Sequence, residues 1–201
     1  SFVFNYRLSR HEKDSMRAER DMLLAQGVIE PCVSAWNSPL VLVPKKGSSA
    51  LRVCQDFRRL NQQLAEVVTF PLPHIDDSLG QPAGCRYFSS LDATKGYWQV
   101  PIAEKDRHKT AFMVDEEQYC FRRMAMGLQS ASGVYQRMMT TICASIPAAR
   151  CFIDDVLVAS PSFEEHINAL RQVFEAMKLA GITLNPAKAH LACAQLKFLG
   201  F

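Results

Sequence analysis

Two adjacent aspartates, Asp154 and Asp155, stand between two apolar segments in the C-terminal part of the chain. Cys151-Phe-Ile153 precedes them and Val156-Leu-Val-Ala159 follows, and both segments are apolar enough to be buried strands. The pattern predicts a β-hairpin with two carboxylates at its tight turn. Neighbouring carboxylates repel each other, and a divalent cation is the simplest charge that offsets the repulsion. A polar turn without further function is the alternative, because aspartate is common in turns.

A third aspartate, Asp92, ends another strand-like segment at residues 86–92. If that strand lies beside the hairpin, three carboxylates meet on adjacent strands. Such a set would hold two metal ions about 3.5–4 Å apart, the arrangement that serves phosphoryl transfer. The spacing leaves a second interpretation open, in which Asp92 only caps a strand or a turn.

A Ser-x-x-Glu pattern occurs at Ser9 and again at Ser162, and it is typical of a capping box at the start of a helix. The first helix is predicted to run to about Gln26, and Gly181 is predicted to end the second. His166, near the start of the second helix, is expected to face solvent. The apolar stripe of that helix is predicted to consist of Ile167, Leu170, Phe174 and Met177.

Strands and helices alternate along the chain without a regular βαβ rhythm, which indicates an α+β fold. The first two predicted strands form a hairpin with a basic tip at Lys45-Lys46-Gly47. The predicted strands are 39–44, 51–56, 86–92, 111–114, 118–122 and one that starts at 197, and further helices are predicted at 75–80 and 130–144.

The composition excludes several classes of protein. With 201 residues, 48% hydrophobic and 21% charged, the chain is neither disordered nor of low complexity. Its seven cysteines are odd in number and form no C-x-x-C pair, which argues against a zinc site or a disulfide framework. No apolar segment is long enough to span a membrane, and neither a leader peptide nor an initial methionine is visible, so a piece of a longer protein is expected.

The formal net charge of +3 is too small to indicate a nucleic-acid partner by itself. Its distribution says more, because basic residues concentrate at 45–59 and 121–137 whereas residues 151–165 carry only acids. This pattern describes either a site where cations and anions meet or an ordinary scatter of surface charge.

Short motifs in a fixed order cover nearly the whole chain, from about residue 6 to residue 201. In that order they resemble the reverse transcriptase domain of gypsy-type LTR retrotransposon pol polyproteins. Each motif is weak by itself, whereas the ordered set is very specific. The clearest matches are Val43-Pro-Lys-Lys-Gly47, Arg52-Val-Cys-Gln-Asp-Phe-Arg-Arg-Leu-Asn61, Phe88-Ser-Ser-Leu-Asp92, Gly96-Tyr-Trp-Gln99, Met126-Gly-Leu-Gln-Ser-Ala131, Phe152-Ile-Asp-Asp155 and Phe198-Leu-Gly200.

The resemblance implies the fingers and palm of a right-hand polymerase, with an antiparallel palm sheet packed on helices and a fingers β-hairpin. Residues 1–65 would form the fingers, with the N-terminal helix and the basic hairpin. Residues 66–201 would form the palm with interleaved fingers elements. Thumb, RNase H, protease and integrase are expected to be absent from this chain.

The resemblance also implies a catalytic triad of Asp92, Asp154 and Asp155. Asp92 and Asp154 would be the principal metal ligands, the carbonyl of Ala93 would add a ligand, and Asp155 would be the less direct partner. The implied cofactor is a pair of Mg²⁺ ions, with Mn²⁺ as a substitute.

Further residues are assigned to the incoming dNTP by the same resemblance. A basic hairpin that folds over a triphosphate agrees with the chemistry of lysine and arginine, although a solvated hairpin tip is the alternative. Tyr97 would lie under the sugar and exclude a ribose 2′-hydroxyl, or else be an ordinary half-buried aromatic. The implied dNTP-binding set is Lys45, Arg52, Ala93, Tyr97, Met126 and Gly127.

Template and primer contacts are implied for Gln136, Phe152, Ile153 and Lys188. The chain departs from the family at three places. Phe152 replaces the usual tyrosine before the Asp pair, and Met124-Ala-Met-Gly-Leu128 lacks the proline of the family's Met-Pro-Phe-Gly-Leu. Ala131-Ser-Gly-Val-Tyr-Gln136 likewise lacks the proline of the family's Ala-Pro-Ala-x-Phe-Gln.

The function implied is that of an RNA-directed DNA polymerase domain of a retrotransposon polyprotein, which joins dNTPs to a primer 3′-hydroxyl. The expected partners are an RNA or DNA template with its primer, dNTPs and the remainder of the pol polyprotein in cis, with no membrane. The expected location is the cytoplasm, within a virus-like particle, with the DNA product destined for the nucleus. The alternatives are a catalytically inactive or domesticated nucleic-acid-binding or assembly module, and a metal-dependent nuclease, for which the sequence offers no water-activating base near the acids.

Overall fold

A computed structural model describes residues 2–44, 47, 51–64, 67, 69–70 and 84–199. Lys45 and the helix predicted at 75–80 therefore lie outside the described residues. In chain order the elements are α1 (Arg10–Ala25), β1 (Ile29–Pro31), β2 (Leu40–Pro44), β3 (Leu51–Gln55), α2 (Arg58–Asn61), β4 (Tyr87–Asp92), α3 (Glu104–Arg107), β5 (Phe112–Val114), β6 (Glu117–Phe121), α4 (Ala131–Cys143), β7 (Ala149–Phe152), β8 (Asp155–Ser160), α5 (Phe163–Leu179) and β9 (His190–Cys193), with 3₁₀ turns at Gly96–Gln99, His108–Thr110 and Pro186–Lys188.

The chain divides into two units, and each is built from two separate stretches of sequence. The first unit is Ser1–Val67 with Val100–Ala131, and the second is Val68–Gln99 with Ser132–Phe201. Among the described residues, no helix combines the length and the apolar composition that crossing a bilayer requires.

The first unit holds helix α1 and two small antiparallel sheets. The predicted capping box is present, because Ser9 Oγ accepts from the Glu12 amide while a Glu12 oxygen accepts from the Ser9 amide. Strands β2 and β3 pair as the predicted hairpin, from Leu40 opposite Gln55 to Pro44 opposite Leu51. The other sheet has the order β1-β6-β5. Strand β1 was not predicted, because three residues are too short to show a period.

The second unit is a four-stranded antiparallel sheet in the order β7-β8-β4-β9, with helix α5 packed on β4 and β8. Val156 and Val158 of β8 are completely buried. Strand β4 is central, so its residues are fixed by hydrogen bonds from both sides. Its last residue is Asp92, and the sheet therefore holds that backbone rigidly.

Helix α5 begins and ends as predicted, and it buries two of the four residues of the predicted stripe, Leu170 and Met177. Ile167 and Phe174 are 37% and 42% exposed, whereas His166 and Val173 have no exposed surface. The expectation that His166 faces solvent is wrong, because its Nε2 lies 2.7 Å from Ser89 Oγ of β4. The helix carries more apolar residues than one stripe needs, and the polar partner on the sheet decides which stripe is buried.

The strand predicted to start at residue 197 is not present at residues 197–199, and strand β9 lies a few residues earlier. Strand β9 pairs with β4 with a shifted register between Phe88 and Ser90. Ala192 has a positive φ of 50° at this irregularity, and its amide donates to Ser89 Oγ at 2.9 Å. A short, exposed and irregular strand has no clean alternation of apolar residues, so the sequence does not reveal it.

Candidate active site

Asp92 and Asp155 are directly opposite each other across strands β4 and β8. The antiparallel register runs without a break from Tyr87 opposite Ser160 to this pair. Directly opposite residues place their side chains on the same face of the sheet, with Cβ atoms about 5 Å apart. The amide of Ala93 then donates to the Asp154 carbonyl at 2.9 Å and continues the ladder by one residue. The predicted meeting of Asp92 with the Asp pair is therefore confirmed.

The Asp pair lies at the tip of the hairpin formed by β7 and β8, as predicted. The turn itself is Ile153-Asp154, and Asp155 is the first residue of the following strand. Ile153 has a φ of 51°, a left-handed conformation that a β-branched residue rarely adopts. Hairpins of this length normally place glycine where φ must be positive. Backbone strain of this kind persists only where neighbouring groups fix it, and it is typical of functional sites.

Gln136 of helix α4 fixes this turn. Its Oε1 accepts from the Ile153 amide at 2.7 Å, and its Nε2 donates to the Cys151 carbonyl at 2.9 Å. The same Nε2 lies 3.1 Å from Thr140 Oγ1 on the same helix. The fully buried carboxamide of Gln136 thus hydrogen-bonds both the Ile153 amide and the Cys151 carbonyl, and it holds the hairpin tip against helix α4.

The Asp154 carboxylate is tightly enclosed on one side. Its Oδ1 is buried and has no hydrogen-bond partner among the described residues. A Cβ added to Gly96 would lie 1.9 Å from that oxygen and 2.8 Å from Tyr135 Oη. Only glycine fits at position 96, because any side chain there would displace the carboxylate.

The electrostatics of the cluster favour a cation. Burial raises the pKa of Asp154, and the negative charges of Asp92 and Asp155 raise it further. Burial and the charge of Asp92 likewise raise the pKa of Asp155, whereas Lys188 acts in the opposite direction on both groups. Carboxylates that are harder to ionise than usual gain most from a nearby positive charge.

Lys188 supplies such a charge within the second unit. Its Nζ lies 3.0 Å and 3.2 Å from the two carboxylate oxygens of Asp92. Over the part of the chain that the structure describes, no three acidic, histidine or cysteine side chains converge on one point as ligands of a single ion. The donor chemistry nevertheless fits a hard divalent cation, since carboxylate oxygens meet here and one of them is buried without a partner.

Comparison with known proteins adds the family. A family model described as reverse transcriptase (RNA-dependent DNA polymerase) matches residues 43–201, most of the chain. The chain belongs to the reverse transcriptase family. Reverse transcriptases in general use divalent metal ions, which agrees with the donor set of the aspartate cluster.

Relatives of this reverse transcriptase domain are parts of much longer proteins. It is 36% identical over 187 residues to the retrovirus-related Pol polyprotein from transposon opus of Drosophila melanogaster, which covers 90% of this chain and 18% of that polyprotein. It is 31% identical over 195 residues to the polyprotein from transposon gypsy of the same organism, which covers 94% and 19%. The chain thus spans less than a fifth of the length of these curated relatives. The predicted membership of an LTR retrotransposon family is confirmed.

Solved structures confirm the predicted α+β fold of polymerase fingers and palm. The foamy viral protease-reverse transcriptase in complex with an RNA/DNA hybrid matches with a TM-score of 0.89 at 26% identity, over 100% of this chain and 27% of that one. The same protein in complex with dsDNA matches with a TM-score of 0.85.

The dNTP-binding residues predicted from the resemblance fall into both units of the reverse transcriptase chain. Arg52 is an exposed residue of β3, opposite Val43, and Lys45 lies outside the described residues. Met126 is 61% exposed, and Gly127 has a φ of 92° that favours glycine. These residues belong to the first unit, whereas Ala93 and Tyr97 belong to the second, with the aspartates.

Tyr97 lies close to the aspartate cluster. Its ring centroid is 5.4 Å from that of Tyr135, in an edge-to-face arrangement. Burial raises the pKa of Tyr97, and the charge of Asp154 raises it further. The aromatic ring is thus half-buried beside the carboxylate that the resemblance assigns to the metals, and its place under the sugar stays a prediction.

The four predicted template or primer residues differ in their surroundings. Gln136 has no exposed side-chain surface, and its amide hydrogen-bonds to the hairpin. Phe152 and Ile153 are half-buried in the hairpin, and Lys188 pairs with Asp92. The template and primer roles of all four residues stay predictions.

Sequence reasoning missed the carboxamide side chains that hold the site. Asn61 donates to the Gly127 carbonyl at 2.9 Å and accepts from the Gln129 amide at 3.0 Å, so it clamps the Met126–Gly127 loop. Gln99 bridges Thr94 and Thr183 in the second unit. Both residues end motifs on which the resemblance rests, and a polar amide at the end of a motif is the signal that could have found them.

Proposed function

We propose that this chain is the RNA-directed DNA polymerase domain of a retrotransposon polyprotein and that it joins dNTPs to a primer 3′-hydroxyl. The observation that carries the proposal is the pairing of Asp92 with Asp155 across β4 and β8, beside the unpartnered oxygen of Asp154. This placement gathers three negative charges at one end of a rigid sheet. Such a set is the donor group that phosphoryl transfer requires.

Asp92, Asp154 and Asp155, with the Ala93 carbonyl, would hold two Mg²⁺ ions, for which Mn²⁺ would substitute. The bound ions would supply Lewis-acid activation of the 3′-hydroxyl and neutralise charge on the α-phosphate and the pyrophosphate. The protein's own task is placement. The strained turn at Ile153 and the Gln136 clamp fix the carboxylate of Asp154, and Gly96 leaves it room.

In this proposal Lys45 and Arg52 would contact the triphosphate, and Met126 and Gly127 would contact the nucleotide, as the resemblance implies. Ala93 would contact the dNTP as well, and the ring of Tyr97 would clash with a ribose 2′-hydroxyl. The support is chemical, since lysine and arginine side chains bind phosphate oxygens, and the charge of Asp154 acts on Tyr97.

The proposed partners are an RNA or DNA template with its primer, dNTPs and the remainder of the polyprotein in cis. The foamy viral relative that binds an RNA/DNA hybrid supports the first of these. Contacts to the nucleic-acid backbone should dominate, so binding should weaken steeply with salt and depend little on sequence. We further propose that the polyprotein acts in the cytoplasm within a virus-like particle and that its DNA product passes to the nucleus.

Primer extension on homopolymer RNA tests the polymerase proposal. Wild-type protein, made as the longest polyprotein segment that carries this chain, should incorporate dNTPs only when Mg²⁺ or Mn²⁺ is present. Asp154→Asn should abolish incorporation, whereas Asp14→Asn, an exposed change of the same kind on α1, should not. Template–primer binding without any metal-dependent incorporation would instead support a catalytically inactive binding or assembly module.

A further inference from the structure

We propose that Lys188 is a resident counter-ion of the aspartate cluster, and that a divalent metal must displace its ammonium group from Asp92 in order to bind. The inference rests on the proposed function, because it takes Asp92 as a metal ligand. It goes beyond that function by assigning to Lys188 a role in the free protein, before nucleotide or nucleic acid binds. Lys188 thereby lowers the affinity of the free protein for metal and keeps the cluster stable until metal arrives.

The backbone that carries Lys188 is anchored on the aspartate strand itself. The Asn185 amide donates to the Asp92 carbonyl at 2.8 Å, and Leu184 forms an isolated bridge with Ala93. Asn185 Oδ1 also accepts from the Ala187 amide at 3.1 Å, which caps the 3₁₀ turn at Pro186–Lys188. The Lys188 side chain therefore extends from a backbone segment that several hydrogen bonds fix relative to Asp92.

Gln99 provides a second anchor for the same segment. Its Nε2 donates to the Thr94 carbonyl at 2.6 Å and to the Thr183 carbonyl at 3.0 Å, and its Oε1 accepts from the Thr183 amide at 2.6 Å. The Thr94 amide donates to the Thr183 carbonyl at 2.9 Å as well. The backbone hydrogen bonds of this segment thus hold Lys188 next to Asp92, so their proximity is a property of the fold.

Competition follows from which oxygens the ammonium occupies. Its Nζ lies within 3.2 Å of both Asp92 oxygens, so a metal ion bound to either oxygen would lie close to the ammonium group and be repelled by its positive charge. The lysine side chain is 63% exposed, so its ammonium group can move into water when a stronger cation arrives. Without either cation, Asp92, Asp154 and Asp155 would repel one another.

Measuring metal binding in the absence of nucleotide and nucleic acid distinguishes the counter-ion role of Lys188 from a contact between Lys188 and phosphates. Mn²⁺ is the probe, and its free concentration is followed by electron paramagnetic resonance. Lys188→Met should bind Mn²⁺ about two- to fivefold more tightly than wild type, the range expected for loss of an ion pair that reaches solvent. Lys188→Arg keeps the charge and should bind as wild type does. Lys178→Met, a change of the same kind on the exposed face of α5, should also leave binding unchanged.

Thermal unfolding gives a second readout in the same samples. Lys188→Met should melt at a lower temperature than wild type without metal and gain more on addition of Mn²⁺, because binding stabilises the folded state by mass action. Equal or weaker Mn²⁺ binding by Lys188→Met overturns the counter-ion proposal alone, provided that Asp154→Asn reduces Mn²⁺ binding. If Asp154→Asn has no effect on Mn²⁺ binding, the metal site itself is refuted.

Discussion

The Ile153 amide donates to Gln136 Oε1 at 2.7 Å, and through this hydrogen bond helix α4 sets the turn that carries Asp154. The bond joins a side chain to a backbone that is held at a φ of 51°. A β-branched residue leaves that conformation unless it is restrained, so the placement of the Asp154 carboxylate depends on a side chain of another element.

Replacing Gln136 by methionine should therefore destabilise the protein. The change leaves the half-buried Ile153 amide and the buried Cys151 carbonyl without these partners, at a cost of about 2–4 kcal/mol. Urea unfolding measures the loss, and primer extension should fall with it. Gln172→Met, on the exposed face of α5, is the matched control and should leave both quantities within error. A stable but inactive Gln136→Met protein would contradict the structural part of the explanation.

Gly96→Ala should impair activity more than stability. Gly96 has no positive φ, so alanine is acceptable to the backbone, yet its Cβ would overlap Asp154 Oδ1. We expect primer extension to fall about 100-fold, since a displacement of about 1 Å at a reacting centre has effects of that size. Gly27→Ala is the reverse case. A Cβ at position 27 has free space around it, but the φ of +64° is unfavourable for alanine. That variant should lose about 1 kcal/mol of stability and keep its activity.

Asn61→Asp should loosen the Met126–Gly127 loop. Aspartate keeps an acceptor for the Gln129 amide but loses the donor to the Gly127 carbonyl. The KM for dNTP should rise about three- to tenfold, the equivalent of one hydrogen bond, with kcat little changed. Hydrogen exchange at the Gln129 amide should accelerate independently of activity. Unchanged exchange at this amide, or a loss of kcat alone, would count against a positioning role. Gln62→Glu, at the next residue, is the control.

His166 should make stability depend on pH in a defined window. Burial lowers the pKa of His166 below its ordinary value of 6.5, so the unfolded chain binds the proton more tightly than the folded one. The contribution of His166 should be complete above about pH 6.5 and be lost as the pH falls below it. Urea unfolding of wild type against His166→Gln isolates this slope, and His190→Gln, an exposed change on β9, should retain it.

Asp154→Asn should stabilise the protein in the absence of metal while it removes activity. Burial and the neighbouring carboxylates raise the pKa of Asp154, so its ionised form weakens the fold at neutral pH, and this penalty disappears as the pH falls. The expected gain is about 1 kcal/mol at pH 7 in urea unfolding. Added Mn²⁺ should narrow the difference between variant and wild type. A destabilised Asp154→Asn protein would indicate that the carboxylate serves the fold instead.

Local signals in the sequence predicted the elements that build the site. The capping patterns at Ser9 and Ser162, the apolar segments around Asp154 and the strand that ends at Asp92 all describe interactions between near neighbours in the sequence. Beyond these local signals, the predicted meeting of the aspartates required only that β4 and β8 pair, and they do.

The features that the sequence did not show depend on residues far apart along the chain. His166 is buried because Ser89 lies across from it, and β9 forms because β4 offers it an edge. Gln136 turns inward because Ile153 needs an acceptor there. Periodicity within one segment carries no information about such partners, so the exposure of His166 was predicted wrongly and only half of the helix stripe was predicted correctly.

The excursion of the chain between Gln99 and Ser132 into the first unit has a consequence for biosynthesis. Strand β4 has no sheet neighbour until residues 155–160 have been made, so a nascent chain carries it unpaired through more than sixty further additions. Such high contact order predicts slow folding and an interval in which chaperones would matter. It also means that no continuous truncation yields the sheet that carries the aspartates without the inserted stretch, and recombinant dissection of this domain requires a designed linker in its place.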